Sequence, residues 1–225
     1  MIQVIMLSNT ANPQIHKMTQ NAINSLRESL PDCGITVVET NQGEVKYEGA
    51  LVYQPQEKFN YNRFINLGYA YVDRVRESAE VNPHPYVMIA NNDLIFDKNW
   101  WKAMERAFKY DKLDSASPIN EGWFQHLDIK NDVELGWGIG KHFCGWALVF
   151  KREVFEKLLP LDEQFEFFCQ DNDLANTMQS LGMKHALVKK SRVKHLTSQS
   201  HSLVDSATHR HYTDDMVELY HKKWG

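Results

Sequence analysis

Cysteine is scarce in this chain of 225 residues. Cys33, Cys144 and Cys169 are odd in number, widely separated and in no metal-type spacing. That argues against a disulfide framework or a cysteine-held zinc, and points to a reducing, cytoplasmic setting in which the thiols simply pack. Long apolar runs are missing too, and none approaches the roughly 20 residues of a membrane span. The opening Met-Ile-Gln-Val-Ile-Met-Leu has no basic flank and is too short for a signal peptide, so it reads as a first strand. Nor is there a strong charge of one sign: the net charge of −4 advertises neither nucleic acid nor an anionic membrane. Glycine forms no nucleotide fingerprint, because Gly136-Trp137-Gly138-Ile139-Gly140 lacks the third glycine at the right spacing and does not follow the first strand. What remains is an average globular composition, 43% hydrophobic and 24% charged, enough for one well-cored domain.

The periodicities alternate between strand and helix. Residues 2–7 are apolar, and Asn12-Pro13 is a strong helix start, a capping side chain followed by the residue that tolerates the first helical position. Ile15, Met18, Ala22, Ile23, Leu26 and Leu30 then recur at helical spacing, until Pro31 and Gly34 end the run. A second strand, residues 35–39, ends on Glu39, and a short third strand covers 50–53. A second helix opens near Phe59-Asn60, with Tyr61, Phe64, Ile65, Gly68, Val72 and Val75 on its apolar side and Asn62, Arg63 and Asn66 on the other.

The stretch Tyr86-Val87-Met88-Ile89-Ala90 has no polar alternation, as expected of a strand buried on both faces, and it delivers Asn91, Asn92 and Asp93 to its carboxyl end. A third helix is expected from Asn99. The resulting order β-α-β-β-α-β-α predicts an α/β fold, a mostly parallel central sheet with helices on both faces.

Beyond Ser115 the pattern loosens. A short strand fits before Pro118, and residues up to Lys141 read either as a loop over a substrate site or as a plain surface connection. A strand over 142–150, a short helix over 152–159, a helix burying Leu174, Met178 and Leu181, and a strand from His185 toward His195 follow. The segment Leu161 to Leu174 interleaves Asp162, Glu163, Glu166, Asp171 and Asp173 with Phe165, Phe167 and Phe168, an unusual density of acid for a structural loop. Carboxylates at a helix start are favoured by the helix dipole whatever their task, so Asp171 and Asp173 carry that bland reading as well. The chain is expected to form a domain over 1–196 with a C-terminal extension over 197–225 belonging to the same domain. That extension is polar, histidine-rich, and closes with a helix through Met216, Val217, Tyr220 and Trp224.

Three positions stand at strand ends, Glu39, Asp93 and His195, and a fourth, Asp171, at a helix start. The order and spacing of several motifs resemble a GT-A fold glycosyltransferase of the family 2 type, the rhamnosyltransferase-like group, over roughly residues 2–196. Asn91-Asn92-Asp93 matches that family's Asp-x-Asp site in its Asn-Asn-Asp variant. Cys144-Gly145-Trp146-Ala147 with the following strand, Arg152-x-x-Phe155, Asp162-Glu163, and Phe167-Phe168-Cys169-Gln170-Asp171 match the second half. His195 matches the histidine after the last strand. Two departures stand out: Gln170 replaces the acid before the catalytic aspartate, and Glu39 replaces an aspartate at the end of strand two.

The resemblance implies an inverting, metal-dependent transferase of hexosyl or pentosyl groups. A sugar would pass from a nucleotide diphosphate sugar, UDP-sugar first, to an acceptor hydroxyl on a glycan, a lipid-linked molecule or a nucleic acid. Asp171 is then the general base, ionised near neutrality because an unperturbed aspartate titrates at about 3.9. Asp93 and His195 would hold Mn2+ or Mg2+ against the diphosphate. Glu39, Arg63, Asn66, Asn91 and Asn92 are expected at the nucleotide, although Asn91 and Asn92 also make good turn formers and Arg63 an ordinary solvated face.

Of three other readings, the first is poor and two stay open. A sugar-phosphate nucleotidyltransferase would share the sheet but needs a glycine-rich basic loop after the first strand, which Ser8-Asn9-Thr10-Ala11-Asn12-Pro13 does not offer. A non-catalytic nucleotide-sugar or glycan binding module is favoured only by Gln170. A transferase acting on a modified nucleic acid base is permitted by the basic run Lys189, Lys190, Arg192 and Lys194, which is equally a solvated edge.

Overall fold

The computed structural model describes residues 1–196 and 210–225. Nine strands of the described residues form one mixed sheet: β1 (Ile2–Ser8), β2 (Gly34–Glu39), β3 (Leu51–Tyr53), β4 (Tyr86–Asn91), β5 (Leu94–Phe96), β6 (Ser115–Asn120), β7 (Val133–Leu135), β8 (Ala147–Lys151) and β9 (His185–His195). Their order across the sheet is β3-β2-β1-β4-β8-β6-β9-β5, with β7 also paired to β9. The strands β3, β2, β1 and β4 pair in parallel. β8 is antiparallel to both β4 and β6, so β6 and its parallel neighbour β9 run in the same direction as β1. The carboxyl ends of β1, β2, β4 and β9 therefore share one edge.

Among the described residues six α-helices accompany the sheet: α1 (Pro13–Ser29), α2 (Tyr61–Ser78), α3 (Trp100–Asp111), α4 (Arg152–Leu158), α5 (Gln170–Ser180) and α6 (Met216–Trp224). Alternate residues of each central strand serve two cores. Val4, Met6, Met88, Ala90, Ala147 and Val149 pack with α1 and α3. Ile5, Val87, Ile89, Leu148 and Phe150 pack with α2, α4 and α5 on the opposite face. A strand that must be apolar on both sides cannot alternate, which is why β1 and β4 read as unbroken hydrophobic runs. Local chemistry sets the helix starts: Asn12 Oδ1 accepts from the Ile15 N–H at 3.0 Å, and Asn60 Oδ1 from the Arg63 N–H at 2.9 Å. On α2, Gly68 lets the helix approach the sheet, because a Cβ there would lie 2.5 Å from Val38 Cγ2. No helix among the described residues is long and apolar enough to cross a membrane.

Several local expectations need correction. The strand expected over 142–150 starts only at Ala147. Residues 138–147 instead turn back on themselves, with the His142 N–H on the Gly138 carbonyl and the Ala147 N–H on the Cys144 carbonyl. The strand expected to stop before Pro118 runs through it to Asn120, and the ladder to β9 shifts register between Pro118 and Ile119, which accommodates the missing N–H. Asn91-Asn92-Asp93 leads into a further short strand, β5, before α3 begins. Leu181, expected in the core, is exposed at the C-terminal end of α5, and Val75 and Val217 are exposed on α2 and α6. The histidine-rich stretch 197–209 lies outside the described residues; the closing helix forms as expected.

Candidate active site

A cavity of about 860 Å³ opens at the shared carboxyl edge of the parallel strands. Asn91, Asn92, Asp93, Asp171 and His195 all line it, with Leu7-Ser8-Asn9 at the end of β1 and Thr40 just past β2. Residues 93, 171 and 195 are far apart in the chain and meet here because three different elements end at the same edge.

The pairing of β5 with β9 explains the first meeting. Leu94 stands opposite His195 in that antiparallel ladder, and the Leu196 N–H donates to the Asp93 carbonyl at 2.9 Å. The His195 Nε2 consequently lies 3.0 Å from Asp93 Oδ1, both side chains being nearly buried. The imidazole is further fixed by the Trp146 ring, stacked on it at 5.3 Å between centroids and 27°, and the His195 N–H donates to Asn120 Oδ1. The proximity is not a well-aligned hydrogen bond, and Asp93 Oδ1 is buried without a hydrogen-bond partner. A desolvated carboxylate oxygen with no donor is costly unless a cation or ligand completes it. An oxygen and an imidazole nitrogen turned to a common space suit a hard-to-borderline divalent ion, and the donor set fits Mn2+ or Mg2+. The described residues contain no cluster of three or more His, Cys, Asp or Glu side chains able to hold a metal alone. A cation here would draw its other ligands from phosphate oxygens and water, the usual arrangement when a metal serves a diphosphate.

Asp171 lines the same cavity from the first turn of α5. The Asn172 N–H donates to its Oδ1 at 2.9 Å. Burial pushes its carboxyl above the ordinary aspartate range, outweighing the stabilising hydrogen bonds of the Asn172 N–H and its own N–H. Gly145 presses against it from the turn before β8: a Cβ there would lie 2.9 Å from Asp171 Oδ2. Cys169, one residue before α5, holds a left-handed φ of 60°, a conformation that costs a non-glycine residue energy and turns the chain sharply into the helix. Cys169, Gln170 and Asn172 flank Asp171 in the lining, and the remainder is aromatic: Phe59, Tyr61, Phe167, Phe168 and Tyr212. Burial, and secondarily the Asp171 charge, push the Tyr61 hydroxyl upward, so it stays a protonated donor.

The residues expected at the nucleotide divide. Asn91 and Asn92 line the cavity, but the Asn92 amide is engaged, donating to Thr19 Oγ1 at 2.9 Å and Ser8 Oγ at 3.3 Å. Glu39 is fully buried and does not line the cavity; its carboxylate accepts from the Thr10 N–H and hydroxyl, the Asn41 N–H and the Tyr47 hydroxyl. With four donors from its own chain it has little capacity left for a base, and it serves instead to tie the loop after β1 to the loop after β2. Arg63 and Asn66 are also outside the cavity. Arg63 pairs with Glu57 and Glu163, while Asn66 donates to the Leu161 carbonyl and Glu163 and accepts from the Leu161 N–H. They brace α2 against the acidic segment because an amide and a guanidinium beside unpaired carboxylates and carbonyls are captured locally. None of residues 115–141 lines the cavity; the segment instead supplies the buried strand β6 and the short strand β7, with His126 and Ile129 buried between them. Within the basic run, Lys190 pairs with Asp132 and Arg192 with Glu121.

Sequence reasoning missed Tyr212, Phe59 and Thr40. Phe59 precedes a recognisable helix cap and Thr40 follows Glu39, so both had a positional signal. Tyr212 had none; its place in the wall is purely a matter of how the C-terminal segment docks.

This architecture is the GT-A fold. No protein-family model matches the chain, and no curated protein sequence does. Among solved structures it is similar to GalNAc-T7 with UDP, GalNAc and Mn2+, at TM-score 0.65 and 10% identity, covering 95% of this chain and 48% of the other. It is similar also to the mannosyltransferase PcManGT from Pyrobaculum calidifontis in complex with GDP-Man and Mn2+, at TM-score 0.60 and 10% identity, covering 88% of this chain and 57% of the other. The chain thus spans about half the length of each.

Proposed function

We propose that the protein is a glycosyltransferase that moves a sugar from a nucleotide diphosphate sugar to an acceptor hydroxyl with inversion. The observation that carries this reading is the convergence of Asp93, His195 and Asp171 on one cavity at the carboxyl edge of a GT-A sheet. Asp93 and His195 would hold Mn2+ or Mg2+, and a cation bound there neutralises charge on the departing diphosphate. Asp171 accepts the proton of the acceptor hydroxyl as that oxygen attacks the anomeric carbon. Burial raises its carboxyl above the ordinary aspartate range, which makes its carboxylate a stronger base than that of an exposed aspartate. A single base and direct displacement invert the anomeric centre. Phe167, Phe168 and Tyr212 supply flat apolar surface against the sugar and exclude water from the reacting atoms.

UDP-sugar is the first donor to test, with GDP-sugar next, since the two similar structures were solved with UDP and with GDP-Man. Asn91 is the nucleotide-side residue this reading retains. The acceptor is a hydroxyl of a glycan, a lipid-linked molecule or a nucleic acid. The test is a donor screen for released nucleotide with mass analysis of products, run on the parent and on Asp171→Asn. Release by the parent and a loss of about 10²–10⁴-fold in the variant are expected for removal of a general base. Equal rates in both would leave a binding module rather than an enzyme.

A further inference from the structure

The C-terminal segment makes a denser set of polar contacts than a helix merely resting on a surface. Lys223 Nζ lies 2.8 Å from Asp162 Oδ2 and 2.7 Å from Asp173 Oδ1. Trp224 Nε1 donates to the same Asp173 oxygen at 2.7 Å. Asp162 and Asp173 are the two ends of the segment that carries Phe167, Phe168, Cys169, Gln170 and Asp171 into the cavity wall. One cation therefore staples the base of that loop shut. The middle of the loop is held from the same side: the Glu166 N–H donates to Met216 Sδ, His211 pairs with Glu166 at 3.4 Å, and Tyr212 packs on Phe167 with centroids 5.4 Å apart. Past the loop, Asn176 on α5 donates to the Tyr220 hydroxyl at 2.8 Å.

Asp173 is only 4% exposed, so its charge is desolvated and depends on these two donors. Burial works against the Lys223 charge, yet the hydrogen bonds to Asp162 and Asp173 hold its ammonium above the ordinary lysine range. Asp171 is positioned through the first turn of α5, two residues before Asp173.

We propose that residues 210–225 are a positioning clamp for the reaction, with Lys223 and Trp224 holding Asp173, and through it Asp171, at the distance from Asp93 that transfer requires. The inference rests on the reading of Asp171 as the base. Lys223 and Trp224 are positioning residues, since neither lines the cavity. The clamp would act on the base side alone, because Asp93 and His195 are set by the β5–β9 ladder.

The full-length parent is compared with Lys223→Met, Lys223→Arg and Trp224→Phe. Amide hydrogen exchange is read across residues 162–173, and kcat, donor KM and Mn2+-dependent UDP binding are measured alongside. Faster exchange confined to 162–173 in K223M and W224F is expected. With it should come a kcat loss of roughly 10- to 100-fold, as a misplacement of about 1 Å can cause, an unchanged KM and nucleotide affinity, and recovery of most of kcat in K223R. Unchanged exchange in that segment would overturn the clamp whether or not the protein is active. So would a donor KM that rises as steeply as kcat falls, or kcat equal to the parent in both K223M and W224F. If the parent itself binds no nucleotide and releases none, the transferase reading fails, and the exchange measurement still decides the clamp.

Discussion

Replacing Gly145 with alanine tests the placement of Asp171 without touching its chemistry. The added Cβ would stand 2.9 Å from Asp171 Oδ2, 3.3 Å from its Cβ and 3.4 Å from its Cγ. A comfortable carbon contact lies at about 3.5 Å, so the carboxylate must retreat by roughly half an ångström. It cannot simply swing, because Oδ1 is held by the Asn172 N–H and the Cβ contact is tight as well. A misplacement of 1 Å costs up to about 10²-fold in rate, so half that distance should lower kcat about tenfold. The stability cost should be at the low end of overpacking, about 1 kcal/mol, because the strained group faces a cavity. Steady-state kinetics with the donor found by screening, and calorimetry of UDP with Mn2+, form the assay. A kcat loss with intact nucleotide affinity is expected. Full activity in G145A would refute the assignment of Asp171 to the reacting atoms, and equal loss of nucleotide binding would show that the turn before β8 governs a different part of the site.

Three further outcomes follow from the packing and charges. Gly68→Ala places a Cβ 2.5 Å from Val38 Cγ2 and 3.2 Å from Ile5 Cγ2, both in the core under α2, so denaturant unfolding should show a loss of about 1–3 kcal/mol; a change under about 0.5 kcal/mol would contradict that contact. His185 is buried between Ser115, the His142 carbonyl and the Trp137 and Phe143 rings, and burial pushes its pKa from 6.5 down to about 4. The unfolded chain binds that proton first, so stability should fall as pH drops from 6.5 to about 4, by about 3 kcal/mol in total, and stay level above 6.5. H185Q should flatten this acid limb, and an unchanged slope would count against it. Asp171 has the opposite sense: its raised carboxyl disfavours the folded state above its own pKa and not below the ordinary value of about 3.9. D171N should therefore be more stable than the parent at pH 7, with the difference vanishing toward pH 3, and a variant less stable at pH 7 would overturn the burial argument.

The regular part of the architecture was legible because its constraints are local. β1 and β4 declare themselves as runs with two buried faces, and α1 and α2 by asparagine caps and helical spacing. β5 was not, since three residues carry no periodicity and its partner β9 lies about a hundred positions later. That omission mattered, because β5 is what brings His195 to Asp93. The metal and base candidates could be named from strand ends, helix starts and family resemblance. The nucleotide side could not be: Glu39, Arg63 and Asn66 have suitable groups for recognition, but a sequence does not reveal that Thr10, Asn41, Tyr47, Glu57 and Glu163 will claim them first. Tyr212, Lys223 and Trp224 owe their roles wholly to docking of the C-terminal segment.

The central claim is that Asp93 and His195 present a site for a divalent cation that a nucleoside diphosphate completes. Calorimetric titration of UDP and GDP into the parent and Asp93→Asn, each with Mn2+ and with EDTA, addresses it most directly. The account predicts binding by the parent only when Mn2+ is present, and a loss of about tenfold or more in D93N, the range seen when one group is removed from a metal site. Nucleotide binding that is the same with EDTA, or untouched by D93N, would contradict it.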